Sequence, residues 1–120
     1  MASAKLTDIA GNLYVPAVML TNSTGALLVN PSTGTQTSVT SVASDVTILA
    51  SNASRGGAIV YNESTSVLYL LLASGTSSAT LYSLQVPANG NFTLNPGEYT
   101  GVIKGTWATA NGFARVTEFA

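Results

Sequence analysis

The ionisable side chains of this 120-residue chain are few: carboxylates at Asp8, Asp45, Glu63, Glu98 and Glu118, cations at Lys5, Arg55, Lys104 and Arg115, and neither histidine nor cysteine. Proton transfer near neutral pH most often uses histidine. Without it, Ser–His–Asp and Cys–His constellations are impossible. The carboxylates are widely spaced, so a glycosidase-like dyad needs the fold to bring two of them together, as with Glu63 and Glu98 on neighbouring loops. Solvated loop carboxylates are the plainer reading. A hard-cation site needs clustered oxygen ligands, and no such cluster exists in the sequence. Its glycine-rich turns contain no lysine-bearing phosphate cradle. The expectation is a non-enzyme with no catalytic residue, metal site or cofactor.

Recognition chemistry is equally sparse. Trp107, Tyr99 and Tyr82 are the residues from which a sugar-stacking platform would be built, whereas burial of Trp107 as a core or interface anchor is the simpler expectation, since Ile103 shares its strand face. Arg55 in NASRGG and Arg115 in FARVTEF flank strand-like runs and are expected to form surface ion pairs with Glu63 or Glu118, worth about 0–1 kcal/mol each. Asn-x-Ser/Thr matches at Asn22, Asn52, Asn62 and Asn91 are expected by chance in a chain so rich in those residues. The net charge is −1 and only 8% of residues are charged, so there is no field to attract phosphate backbones or anionic lipid. No nucleic-acid or membrane partner is expected. A surface so poor in charge is weakly protected against association, and 46% of the residues are hydrophobic. No apolar stretch reaches the ~18 residues of a membrane span. The N-terminal MASAKLTDIAGN lacks the apolar core of a signal peptide, which predicts a soluble chain made in the cytoplasm.

The elements that must position these residues are short strands. Gly57–Leu72, GAIVYNESTSVLYLLL, contains two apolar runs around the polar Asn62–Ser66, a pattern that predicts a β-hairpin. In the second run Val67, Tyr69 and Leu71 share one face, and Leu68, Leu70 and Leu72 the other. Both faces are apolar, so both need cover: a second sheet on one side and a neighbouring subunit on the other. Further strands are predicted at 37–42, 45–50, 79–86, 91–94, 102–108 and 113–119. Asn111-Gly112 is the strongest tight-hairpin signal. Such spacing indicates an all-β domain, an antiparallel β-sandwich or jelly-roll-like barrel, over residues 37–120. Residues 1–36 read as an N-terminal arm or edge segment: Leu13–Leu20 is apolar on both faces and broken by Pro16. Either an extended arm docked on its own sandwich or the next protomer, or an edge strand of the same domain, fits it. Leu13, Tyr14, Val15, Val18 and Leu20, with Leu68, Leu70 and Leu72, are the predicted interface with a neighbouring molecule.

Specific stretches carry a resemblance. SVASDVTILASNASRGGAIVYNESTSVLYLLLASGTSS and YTGVIKGTWATANGFARVTEF, weighed most on Ile59–Asn62, Ser64–Thr65, Leu68–Tyr69, Tyr99–Gly101, Gly105–Trp107, Gly112 and Ala114–Glu118, resemble small β-domain virion proteins of tailed bacteriophages. AGNLYVPAVML is similar to N-terminal arms in some of them. These motifs consist of strand and turn residues and so identify a fold family better than a role. The resemblance implies a non-enzymatic virion protein, often trimeric, assembled in the host bacterial cytoplasm. A cement or decoration protein bridging major capsid subunits is the leading expectation, a neck, tail or fibre component the alternative. Outside the virion class, a carbohydrate-binding module is the competing expectation.

Overall fold

The computed structural model describes residues 31–120, and positions Leu13, Tyr14, Val15, Val18 and Leu20 lie outside them. Eight strands follow one another: β1 (Gly34–Thr40), β2 (Val46–Leu49), β3 (Gly57–Glu63), β4 (Leu68–Leu71), β5 (Leu84–Val86), β6 (Asn91–Leu94), β7 (Ile103–Trp107) and β8 (Phe113–Phe119). They form two four-stranded antiparallel sheets, β1-β8-β3-β6 and β2-β7-β4-β5. First therefore sits by last in a nested series, β1 with β8, β2 with β7, β3 with β6 and β4 with β5. This is the strand order of a jelly roll, the predicted all-β class.

Alternation explains the layering. Ala58 and Val60 of β3, Leu68 and Leu70 of β4, Ile103 and Trp107 of β7, and Ala114 and Val116 of β8 all point inward. With Ile48, Leu49, Val86 and Leu94 they form one buried cluster shared by the two sheets. Gly105 completes β7 because its neighbours leave no room: a Cβ there would lie 2.8 Å from Ile48 Cγ1 and 3.1 Å from Leu68 Cδ1. Gly105→Ala is expected to lower unfolding free energy by about 1–3 kcal/mol through overpacking, read as a shifted urea midpoint at constant m.

Several expectations need correction. Gly57–Leu72 is not a hairpin, because β3 and β4 belong to opposite sheets. The two runs face each other through side chains, and the loop between them crosses the sandwich. Asn111-Gly112 likewise joins strands of different sheets. Gly112 does take φ +83°, but the Asn111 side chain accepts from Thr65 N–H and Thr65 Oγ1 at 2.8 and 3.1 Å rather than closing a two-residue turn. The domain also starts before residue 37. Gly34–Gln36 already pair with Thr117–Phe119, in a strand whose hydroxyl-rich sequence offers no apolar alternation to read.

Leu68 and Leu70 are fully buried within their own chain, and Leu72 is partly buried against the same cluster. This face meets the opposite sheet, not another subunit. The outer face of β4 is covered by the chain itself. The excursion between β4 and β5 folds back so that Tyr82 packs on Tyr69 with ring centroids 5.0 Å apart, and Ser83 Oγ accepts from Leu72 N–H at 2.9 Å. The predicted strand at 79–86 accordingly shrinks to Leu84–Val86.

Candidate functional site

Polar side chains close the two ends of the sandwich. At one end Asn62, the inward residue that follows Ala58 and Val60 in the alternation of β3, is fully buried. Its amide nitrogen donates to the carbonyls of Ser66, Val86 and Pro87 at 2.8, 2.9 and 3.1 Å. Its oxygen accepts from Ser64 Oγ at 2.8 Å and from Trp107 Nε1 at 3.0 Å. One amide thus ties β3 to the strand ends of the facing sheet.

Arg55 performs the same service at the other end, in the crossing between β2 and β3. Its side chain is fully buried, and Nε donates to Glu118 Oε2 at 2.7 Å. The other guanidinium nitrogens donate to the carbonyls of Ala50 (2.5 Å), Gly101 (2.9 Å) and Tyr99 (3.3 Å). The fixed fork of a guanidinium suits such divergent acceptors. The expected surface pair for Arg55 is therefore replaced by a buried clamp between the sheets.

A third polar group lies on the outer face of β7. Asp45 holds Lys104 Nζ at 2.9 Å and accepts from Ser77 N–H and Oγ at 2.7 and 2.8 Å. Ser77 Oγ in turn sits 2.6 Å from Thr106 Oγ1, which fastens the β4–β5 excursion to the sheet. Burial pushes the Asp45 carboxyl up, but the Lys104 and Ser77 hydrogen bonds and the Lys104 charge outweigh it, leaving its pKa below the usual 3.8. A carboxyl depressed in the folded state adds stability above its unfolded pKa and loses it as pH falls through the folded value. The wild-type chain should lose this contribution below about pH 4, whereas Asp45→Asn should show a smaller acid-induced fall in melting temperature over that range.

The remaining charges are also committed. Arg115 pairs through Nε with Glu63 Oε1 and donates from Nη1 to Ser38 Oγ at 2.8 Å, while its guanidinium carbon lies 4.4 Å from the centre of the Phe113 ring. This is the exposed ion pair the sequence predicts. Glu98 accepts from the Asn95 backbone N–H at 2.9 Å within its own turn.

Glu63 and Glu98 do not form a dyad. Gly57 opens β3 near Leu94 and the turn that carries Glu98, while Glu63 closes the strand, about 20 Å away at 3.3 Å per residue. The sugar platform is likewise dispersed: Trp107 is 1% exposed and Tyr99 is half-buried with its hydroxyl donated to Val102 O at 2.9 Å, so Tyr82 is the one exposed ring of the three. What the fold does present is exposed apolar and aromatic side chains. Tyr61 and Phe113 are exposed on the outer face of the β1-β8-β3-β6 sheet, while Leu81 and Tyr82 are exposed on the excursion over the other.

No protein-family model, curated protein or solved structure matches the chain.

Proposed function

We propose that the chain is a structural protein of a tailed-bacteriophage virion: a non-enzymatic cement or decoration protein, trimeric, that stabilises the head by bridging major capsid subunits. The observation that carries this reading is the use made of charge. Every charged side chain among the described residues is engaged within the domain: Arg55 with Glu118, Lys104 with Asp45, Arg115 with Glu63, and Glu98 with its own turn. Apart from the exposed Arg115–Glu63 pair and Glu98, what faces outward is mostly hydroxyl, amide and aromatic surface, suited to many weak contacts repeated by symmetry. The resemblance of the sequence to virion β-domains supplies the setting. Jelly rolls also serve viral capsids, although the fold by itself does not determine function. A neck, tail or fibre component is the alternative within the same class.

The test is a density reconstruction of virus particles that contain the chain. The reading expects a small β-sandwich bound between major capsid subunits on the head exterior. Density confined to the neck, tail or fibres would select the alternative. A glycan-binding role has one observation in its favour, the exposed Tyr82 ring packed on Tyr69 with the Gln85 amide bonded to its hydroxyl at 2.8 Å. Saturable sugar binding that is lost in a folded Tyr82→Ala variant would establish it instead.

A further inference from the structure

The four sheet edges formed by the described residues are not alike. β2 carries a register shift between Thr47 and Leu49 and is flanked by Asp45 and Lys104. β5 is only three residues long and runs into Pro87. β6 has four residues and is followed by Pro96. Short length, bulges, charges and prolines are the devices that stop an edge from recruiting another strand. β1 has none of them. Its seven residues, GTQTSVT, pair with β8 in unbroken register, contain neither charge nor proline, and are exposed apart from the half-buried Val39.

The hydrogen bonds show which of its backbone groups face outward. Thr33 and Ala120 exchange both N–H···O bonds, and Ser41 N–H donates to Gly112 O in the same register. Bonded and non-bonded pairs alternate in an antiparallel ladder, so Thr35, Thr37 and Val39 turn their N–H and C=O groups toward β8. Those of Gly34, Gln36, Ser38 and Thr40 point away from the sheet. Phe119, the non-bonded partner of Gly34, confirms the phase, since its carbonyl accepts from Gly56 N–H on the opposite side.

We infer that this edge pairs with β1 of a second copy of the chain, antiparallel about a two-fold axis at Thr37. That register sets Gly34 against Thr40 and Gln36 against Ser38 of the other copy, so every outward N–H and C=O of the strand gains a partner. Thr37 meets its own equivalent in a close non-bonded pair, a favourable Thr–Thr contact, and no charge is brought against a like charge. The result is one sheet continuous across both copies. The pairing is isologous and closes on itself. It stands on the ladder alone, independent of the virion reading, and where the protein also trimerises it links trimers in pairs.

The test uses the full chain in sedimentation equilibrium, with hydrogen exchange of the β1 amides followed against concentration. Gln36→Pro removes one outward N–H from each copy and leaves the bonds to β8 intact, a place where an edge strand tolerates proline. It should weaken pairing about thirtyfold. Thr37→Lys, which sets two ammonium groups face to face, should weaken it by about tenfold or more, and it serves if the proline variant fails to fold. Two-fold association, with Gln36 and Ser38 amides protected in step with it, is the expected result. A full chain that stays monomeric, or association unchanged by both folded variants, would overturn the inference.

Discussion

Asn62→Ala is expected to destabilise the domain by about 3–5 kcal/mol, far more than loss of one solvent-exposed amide. The substitution removes the acceptor of the Trp107 indole N–H and the donor to the Val86 and Pro87 carbonyls. Each buried polar group left without a partner costs about 1–3 kcal/mol. Trp107 and Val86 lie in the core cluster. Asn62→Asp should not rescue the fold, since it keeps the acceptor but eliminates the donors and introduces a buried charge. Urea unfolding of both variants provides the measurement. A loss below about 1 kcal/mol for Asn62→Ala would show that the amide does not hold that end of the sandwich.

Arg55→Met is the second large effect, again about 3–5 kcal/mol, because it strands the partly buried Glu118 carboxylate and leaves the carbonyls of Ala50 and Gly101 without their donor. Breaking a buried pair from one side costs much more than replacing both members with apolar groups. The double variant Arg55→Met/Glu118→Leu should therefore regain a substantial part of the loss, with the unpaired carbonyls accounting for the remainder. Arg115→Met, at the exposed pair with Glu63, should cost no more than about 1 kcal/mol. Comparing thermal unfolding of the three variants separates a clamp from a surface pair. Equal, small losses for Arg55→Met and Arg115→Met would remove the distinction.

The contrast between these arginines marks where the sequence stops being informative. Both stand beside strand-like runs, and nothing in NASRGG or FARVTEF says which is buried. Arg115 sits in a strand, where alternation with Ala114 and Val116 turns it outward. Arg55 sits in a crossing loop, where no period applies. Asn62 was readable in principle: it continues the inward series Ala58, Val60 on β3, yet its polarity and the following Glu-Ser-Thr-Ser suggest a turn. The all-β class, the β6 and β8 boundaries and the inward face of β7 follow directly from alternation and turn chemistry. Strand pairing does not. A loop that crosses between sheets has the same Asn, Ser and Gly composition as a hairpin loop, so Asn62–Ser66 and Asn111-Gly112 suggested local pairs where the chain makes distant ones. The two apolar faces of Leu68–Leu71 correctly signalled cover on both sides. The outer cover came from residues 72–83, whose own sequence offers no sign that they fold back.

These corrections shift the surface on which the proposed assembly role depends. Leu68 and Leu70 belong to the interior, so among the described residues the exposed candidates for such contact are Tyr61 and Phe113 on one outer face, Leu81 and Tyr82 on the other, and the edge of β1. All three regions are uncharged or have their charges already paired.

The claim that the chain works by joining a larger particle is tested most directly by its location in purified virions, read from a reconstruction that resolves individual strands. The account predicts the two four-stranded sheets lodged against capsid subunits on the outside of the head, repeated with the symmetry of the shell. Particles without the chain, alongside a free monomer in the host extract, would contradict it.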